Sequence, residues 1–426
     1  MSSIRAYRFQ LRTRPGVNAQ LRRFSGILRR VWNDALAEQR ARHARGEKYA
    51  SYADMCKWLT AWRNTPATAW MAVCPQAAQQ QVLRRLDEAY RRFFAKTGGF
   101  PSFKCHGDEP GLRFPDPKQF SLDSANGRIK LPKLGWVRMR QSRIAEGELR
   151  NITVSREGAK WFVSIQTRST ETIASLDVAP SLGIDLGLTA FAAMSDGKLI
   201  APLRALAKQQ RKLKHAQRAV SRKKKGSTNR RKAVGRLGGI HRRIAHQRAH
   251  WLHTLTTELA DRHAVIAIED LKVKNMSASA RGTLASPGKN VSAKAGLNRG
   301  ILDAAWGEFR RQLTYKVGWR GGQIILVNPV YTSRTCRICG HESAQNRKTQ
   351  SVFACVACGH TENADVHAAK NILAAGYAVW ASGVAHATPA RQDADACGGE
   401  VSRGRRASAG RAAPLKQEPT EAKAVG

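Results

Sequence analysis

Two pairs of cysteines constrain this chain more than any other feature: Cys336-x-x-Cys339, then fifteen residues, then Cys355-x-x-Cys358. Gly340 and Gly359 directly follow the second cysteine of each pair. A glycine there permits the turn that points main-chain N–H groups at the thiolates, and four sulfurs form a closed tetrahedral shell for Zn²⁺. A closed shell is structural, so the spacing predicts a zinc-folded module and sends any catalytic metal elsewhere. His341 and His360 come after those glycines and could substitute as ligands, but four cysteines already complete the shell. Cys56, Cys74, Cys105 and Cys397 are scattered and read as buried thiols of a reducing compartment.

Charge sets the second constraint. The 426 residues hold 73 Lys and Arg against 31 Asp and Glu, a net charge of +42, on a hydrophobic fraction of 42% that is normal for a folded protein. Such a surplus needs a polyanion, and phosphate backbone provides one through counterion release. Membrane surface is the competing partner. It is disfavoured because no run approaches about 18 apolar residues, and Met1 to Gln20 is basic without an apolar signal core. A soluble intracellular protein is expected. Residues 201–250 contain no Asp or Glu. Their helical stripes (Leu237, Ile240, Ile244, then Leu252, Leu255, Leu259) are interrupted at Arg222-Lys223-Lys224-Lys225-Gly226, with Arg230 and Arg231 beyond. A solvated basic face is the plain reading; an acid-free stretch of this length favours nucleic-acid contact by those six side chains.

The hydrophobic periodicity divides the chain. Ile4 to Leu11 alternates as a strand, then a helical period runs from about Ala19 to Phe94. There Leu21, Phe24, Leu28, Val31 and Ala35 form one apolar stripe, and Val82, Leu86, Tyr90 and Phe93 another. Trp32, Trp58, Trp62 and Trp70 lie in the same block, as core or as stacking platforms for bases. Short alternating runs follow Gly98-Gly99-Phe100-Pro101; Asn126-Gly127 signals a type I′ hairpin, and Glu157-Gly158 separates two further runs. A small barrel or sheet completed by the first strand, with the helical block inserted, is expected. After Pro180 come a hairpin (182–188 with 191–194), a strand at 264–268, a helix at about 302–319 and a strand at 323–327. The cysteine module and a helix at about 364–375 close the ordered part, and residues beyond about Ser382 read as disordered.

Three acids stand out in a chain where acids are scarce: Asp185 within Gly183-Ile184-Asp185-Leu186-Gly187, Glu269 at the end of its strand, and Asp365 at the start of the last helix. In a strand, Asp185 points opposite to Ile184 and Leu186, so it can open onto a cleft while they face the core. Carboxylates converging in one cleft repel each other and persist when protonated or bridged by divalent cations. Two Mg²⁺ ions held this way would activate a water and stabilise the leaving oxygen of a phosphodiester. Each acid alone has an ordinary explanation, Asp365 as a complement to a helix dipole among them. Spacing does not establish that they meet.

Together these residues resemble the TnpB family, transposon-encoded RNA-guided nucleases related to compact type V CRISPR effectors. The resemblance covers roughly residues 1–376. It rests on Gly-Ile-Asp-Leu-Gly-Leu (183–188), Ile-Glu-Asp-Leu (268–271), Ala-Trp-Gly-Glu-Phe (305–309) and the run from Tyr331-Thr332-Ser333 to Asn363-Ala364-Asp365. Leu86-Asp87-Glu88-Ala89-Tyr90, Phe93-Phe94, Phe100-Pro101 and the tail Leu415 to Thr420 are also similar to it. The implied architecture is α/β and multidomain. A β-barrel wedge domain (1–14 and 97–178) carries an inserted helical recognition lobe (15–96). An RNase H-like RuvC nuclease domain (179–328 and 361–380) carries an inserted zinc-binding module (329–360), and a disordered tail (381–426) follows. The resemblance implies guide RNA and double-stranded DNA target as partners, a monomer in the ribonucleoprotein, and a bacterial cytoplasmic, nucleoid-associated location. Asp185, Glu269 and Asp365 fall on the three RuvC carboxylates. Many members have Asp-Arg-Asp-x-Asn around the third; here Ala364 replaces the arginine and His367 the asparagine. The Asn-Ala-Asp form accompanies an Asn-Arg-x-x-Gln segment, here Asn346 to Gln350, so Arg347 is expected to supply the lost cation. A compact dimeric CRISPR effector and an RNA-guided repressor that does not cut are the alternatives, and the repressor would be marked by a missing carboxylate.

Overall fold

The computed structural model describes residues 3–108, 110–169, 181–283 and 286–382. The expected disorder beyond Ser382, the tail similarity at Leu415 to Thr420 and the junction at 170–180 lie outside these residues.

Strand β1 (Ser3–Arg12) leads into three helices: α1 (Pro15–Ala44), α2 (Tyr52–Asn64) and α3 (Gln76–Phe94). Pro15 opens α1 where a missing N–H costs nothing, and a Ser51–Asp54 capping box starts α2. Strands β2 (Leu112–Phe114), β3 (Ser121–Asp123), β4 (Arg128–Leu131), β5 (Gly135–Arg140), β6 (Glu148–Glu157) and β7 (Lys160–Ser169) follow. They join the first strand in a seven-stranded antiparallel sheet of order β2-β6-β7-β1-β5-β4-β3. β1 thus sits in the middle although it is first in sequence, and the helices interrupt the sheet between β1 and β2. One core unites them: Phe24, Leu28 and Leu86 of the helices pack with Phe114, Ile152 and Val163 of the sheet. The expected barrel is an open sheet, because the three-residue edge strands β2 and β3 do not pair with each other among the described residues.

Local expectations meet local outcomes. Phe93, assigned to the apolar stripe, is 37% exposed, while Trp32 is buried and donates Nε1–H to the Ser102 carbonyl at 3.0 Å. Asn126-Gly127 does turn a hairpin, but through the four-residue loop 124–127 in which Gly127 (φ 56°) takes the left-handed conformation and Asn126 does not. A type I′ turn needs both residues there. Asp123 instead accepts from the Asn126 backbone N–H and holds Arg128.

The second sheet holds β8 (Ser181–Leu186), β9 (Ala192–Met194) and β10 (Leu199–Ile200). Next come α4 (Ala205–Ser221), α5 (Thr228–Arg262), β11 (Val265–Glu269), α6 (Val273–Met276), α7 (Val291–Ala304), α8 (Trp306–Gly318) and β12 (Gln323–Val327). The cysteine module includes the hairpin β13 (Val352–Ala354) and β14 (Thr361–Asn363), and β14 runs directly into α9 (Ala364–Ala381). Sheet order is β10-β9-β8-β11-β12, with β8, β11 and β12 parallel. Leu252 and Leu259 of α5 and Phe309 and Leu313 of α8 cover one face through Ile184, Ile266 and Ile268. Ile372 of α9 covers the other through Ala267, Ile325 and Val327. The helix expected at 302–319 is two helices, broken where Ala305 adopts φ 56° without a glycine or proline to signal it. No helix among the described residues is long and apolar enough to cross a membrane.

Close approach of α9 to β8 rests on Gly183, where a Cβ would lie 2.1 Å from the Ala369 carbonyl oxygen and 2.8 Å from the Leu373 Cβ. Gly183→Ala is expected to destabilise the protein by about 3 kcal/mol, read as a lower urea midpoint with an unchanged slope. An unshifted midpoint would mean that α9 does not pack this closely.

Candidate active site

Strand parity builds the cleft. Ile184 and Ile268 face the α5 and α8 side, so Gly183 and Asp185 on β8, and Ala267 and Glu269 on β11, face α9. The parallel register pairs Ile184 with Ile268, so Asp185 and Glu269 stand one step further along, at the C-terminal ends of adjacent strands. That end of an open parallel sheet is where such folds place their ligands. Asp365 arrives from above: the Asn363 side chain caps α9 by accepting from the Asp365 and Val366 N–H groups, which fixes Asp365 in the first turn.

The electrostatics show that Asp185 feels both of the other carboxyls. Burial, then the charges of Glu269 and Asp365, push the Asp185 carboxyl up to about 7, and Arg347 opposes them. This displacement from 3.8 is on the order of 4 kcal/mol between protonation states before solvent screening. Burial also raises Glu269, opposed by the Thr332 hydroxyl, which donates to Glu269 Oε1 at 2.8 Å. Arg347 donates to Asp365 Oδ1 at 3.0 Å and to the Gln350 carbonyl at 3.2 Å. Asp270, beside Glu269, is diverted to Lys272 and Arg310 and takes no part. The trio is not gathered so tightly that all its ligand atoms fall within 4.8 Å of one another, a closeness the thiolates do reach. Half-buried carboxyls whose proton affinity is raised, as at Asp185 and Glu269, are donors that hard divalent cations relieve.

The cysteine module meets its expectation in geometry. Cys336 Sγ lies 3.7 Å from Cys358 Sγ, and Cys339 Sγ 3.6 Å from Cys355 Sγ. A tetrahedron with metal–sulfur bonds of about 2.3 Å has edges of about 3.8 Å, and a disulfide would need about 2.05 Å. Each pair forms a knuckle: Gly340 and Gly359 (φ 75° and 74°) donate to the Cys336 and Cys355 carbonyls. N–H groups of Cys358 and Ala357 pull the Cys355 thiol down, toward the thiolate a metal needs, while against the pull of the His360 N–H, Cys339, Cys355 and Cys336 push the Cys358 thiol up. Buried Asn346 stitches the knuckles, donating to the Arg334 and His341 carbonyls and accepting from Val356 N–H. Sequence reasoning missed Asn346 and Thr332 as supporting residues, although both lie in the segments that carried the resemblance.

His367, which stands where many members have asparagine, makes its contacts within the cysteine module. It is fully buried, stacks on Phe353 at 3.7 Å between centroids, and contacts Glu362 and the Thr335 carbonyl. Arg222, Lys223, Lys224 and Lys225 are exposed on the turn between α4 and α5, and Arg231 is exposed one turn into α5. Arg230 differs: its guanidinium donates to the Val220 and Lys223 carbonyls and closes the end of α4. No hydrogen bond or ion pair joins this turn to the carboxyls among the described residues.

A pH prediction follows from Asp185. Its folded pKa lies above the unfolded value of 3.8, so metal-free stability is full at low pH and falls as pH rises through about 7. Asp185→Asn removes that loss. The metal-free variant should melt several degrees above wild type at pH 8, with a margin that narrows as pH falls from about 7 toward 3.8; an unchanging margin would mean that the Asp185 carboxyl is not raised in the folded protein.

Comparison with known proteins agrees with this layout. The family described as "Probable transposase" (OrfB_IS605) matches residues 164–280, and the "Cas12f1-like, TNB domain" matches 306–372. A "Helix-turn-helix domain" matches 1–48, where the fold is one strand and one 30-residue helix instead. The chain is 45% identical to "Putative RNA-guided DNA endonuclease InsQ" of Escherichia coli (strain K12), covering 99% of this chain and 98% of that one. It is 33% identical to "Putative RNA-guided DNA endonuclease" of Streptomyces pristinaespiralis, covering 99% and 97%. Its fold resembles the Cas12f1 protein of a Cas12f1-sgRNA-target DNA complex, with a TM-score of 0.54 at 14% identity over 84% of this chain and 83% of that one. Identity of this extent along both whole chains places the protein in the TnpB family of IS605 OrfB proteins.

Proposed function

We propose that the chain is an RNA-guided, Mg²⁺-dependent DNA endonuclease, cutting DNA that pairs with a transposon-derived guide RNA beside a short adjacent motif. The observation that carries this is the cleft itself: Asp185 and Glu269 in register at two parallel strand ends, facing Asp365 and Arg347. The names of the relatives support the reading, as does the +42 charge that suits a heteroduplex backbone recognised by shape. In this reading the seven-stranded sheet is the wedge (1–14 and 97–178) and α1 to α3 the recognition lobe (15–96). The second sheet is the RuvC-like domain (179–328 and 361–380), and residues 329–360 form a zinc-held target-binding module.

Asp185 and Glu269 would hold one or both Mg²⁺ ions and Asp365 the other. When bound, the ions lower the pKa of a water and stabilise the leaving oxygen of the phosphodiester. Thr332 orients Glu269 through its hydroxyl, leaving Oε2 for the cleft. Arg347 keeps a guanidinium beside Asp365, where it can meet phosphate charge as it develops. The four cysteines hold Zn²⁺ and so fix the strand and turn that deliver Arg347. The exposed Arg222, Lys223, Lys224, Lys225 and Arg231 belong to backbone binding; Arg230 acts through the fold of that turn.

The test is to purify the protein with RNA from its own locus and offer a plasmid carrying the matching target beside randomised flanks. Cleavage that requires Mg²⁺ and disappears in Asp185→Ala or Glu269→Ala, with target binding retained, is expected. Binding without cleavage by the wild type would make it a repressor. Arg347→Ala should cut about 10²-fold more slowly, and the acid limb of its pH–rate profile should move upward, since Arg347 holds the Asp185 carboxyl down. A wild-type rate would remove Arg347 from the chemistry.

A further inference from the structure

Between the cysteine shell and the carboxyl cleft lies a second convergence of ligand atoms. One ligand atom from each of His360, Glu362 and His367 lies within 4.8 Å of the others. Glu362 Oε2 is 3.6 Å from His360 Nε2 and 3.2 Å from His367 Nδ1. Zn²⁺ bonds of about 2.0–2.1 Å to nitrogen and oxygen give tetrahedral edges of about 3.4 Å, midway between those two separations.

The contacts around these atoms suit a metal. His367 Nε2 lies 3.0 Å from the Thr335 carbonyl oxygen, an acceptor, so Nε2 carries a hydrogen. His367 Nδ1 then faces Glu362 Oε2 at 3.2 Å, where either a proton or a metal ion can sit between them. A proton would serve that pair, but it would leave His360 Nε2, which is screened from solvent, without a hydrogen-bond partner. A metal ion satisfies all three atoms. The supporting contacts are those that metal sites use: a histidine whose other N–H meets a backbone carbonyl, and a carboxylate whose remaining oxygen is held, here by Lys370 on Glu362 Oε1. His367 is further immobilised by its stack on Phe353.

We propose that His360, Glu362 and His367 form a second site for a divalent transition metal of zinc-like preference, with a fourth position open to water. It is separate from the four thiolates and from Asp185, Glu269 and Asp365. An ion there would tie β14 and α9 to the second knuckle, and so tie Asp365 to the module that carries Arg347.

The test is metal content. The full chain is loaded with Zn²⁺, dialysed against excess Mg²⁺ to occupy the carboxyl cleft, and assayed for zinc per chain. Two equivalents are expected for wild type and for Asp185→Asn, and one for His360→Ala and for Glu362→Gln. On Co²⁺ substitution, the thiolate-to-metal charge-transfer band should survive in both of the latter, showing an intact cysteine shell. One equivalent in wild type overturns the proposal whatever the variants do. So does a second equivalent that Asp185→Asn loses and His360→Ala keeps, since that ion would sit in the cleft.

Discussion

Like charges crowded into a half-buried cleft must be answered by a cation, and the second half of this molecule is arranged around that requirement. Asp185 and Glu269 reach the cleft because two parallel strands end side by side with matched parity. Asp365 reaches it because the cysteine module hands the chain to α9 at that point. Burial and then the charges of Glu269 and Asp365 raise the Asp185 carboxyl, and Arg347 opposes them. Metal-free, the site is a strained set of acids partly offset by one guanidinium; the stabilisation it lacks is what a divalent ion provides.

The four-cysteine module is therefore more than an appendage. Thr332, just before its first knuckle, donates to Glu269, while Arg347, between the knuckles, donates to Asp365. Asn371 of α9 donates to the Thr332 and Thr335 carbonyls, and buried His367 contacts the same Thr335 carbonyl. Each knuckle is a few residues closed by a left-handed glycine, too small to bury a core of its own, so thiolate ligation is the interaction able to hold it. The order of that module and the position of two catalytic candidates are thus physically linked.

The first half of the chain shares the same logic of interruption. A strand is laid down, helices follow, and the remaining strands close around the first, so that one core joins both layers. The exposed end of α3 leaves Phe93, which periodicity alone had assigned to the core, in aromatic contact with Phe94 and Phe100. Helical spacing reports which residues share a face. It does not report where the neighbouring element stops covering that face.

Much of the site was legible because its chemistry is local. Knuckle glycines, cysteine spacing and the scarcity of acids can be read one segment at a time, and so can strand parity at Asp185. His367, Thr332 and Asn346 were not legible, since their roles depend on partners that folding brings from elsewhere: Phe353 and Thr335 for the first, Glu269 for the second, the opposite knuckle for the third. The break at Ala305 and the use of Arg230 as a helix clasp escaped for the same reason. What sequence alone determined was composition, period and ligand spacing, which depend on covalent order and short-range sterics. Convergence of Asp185, Glu269, Asp365 and Arg347 was decided by tertiary structure, because a parallel register and the packing of α9 on Gly183 are contacts between residues far apart in the chain.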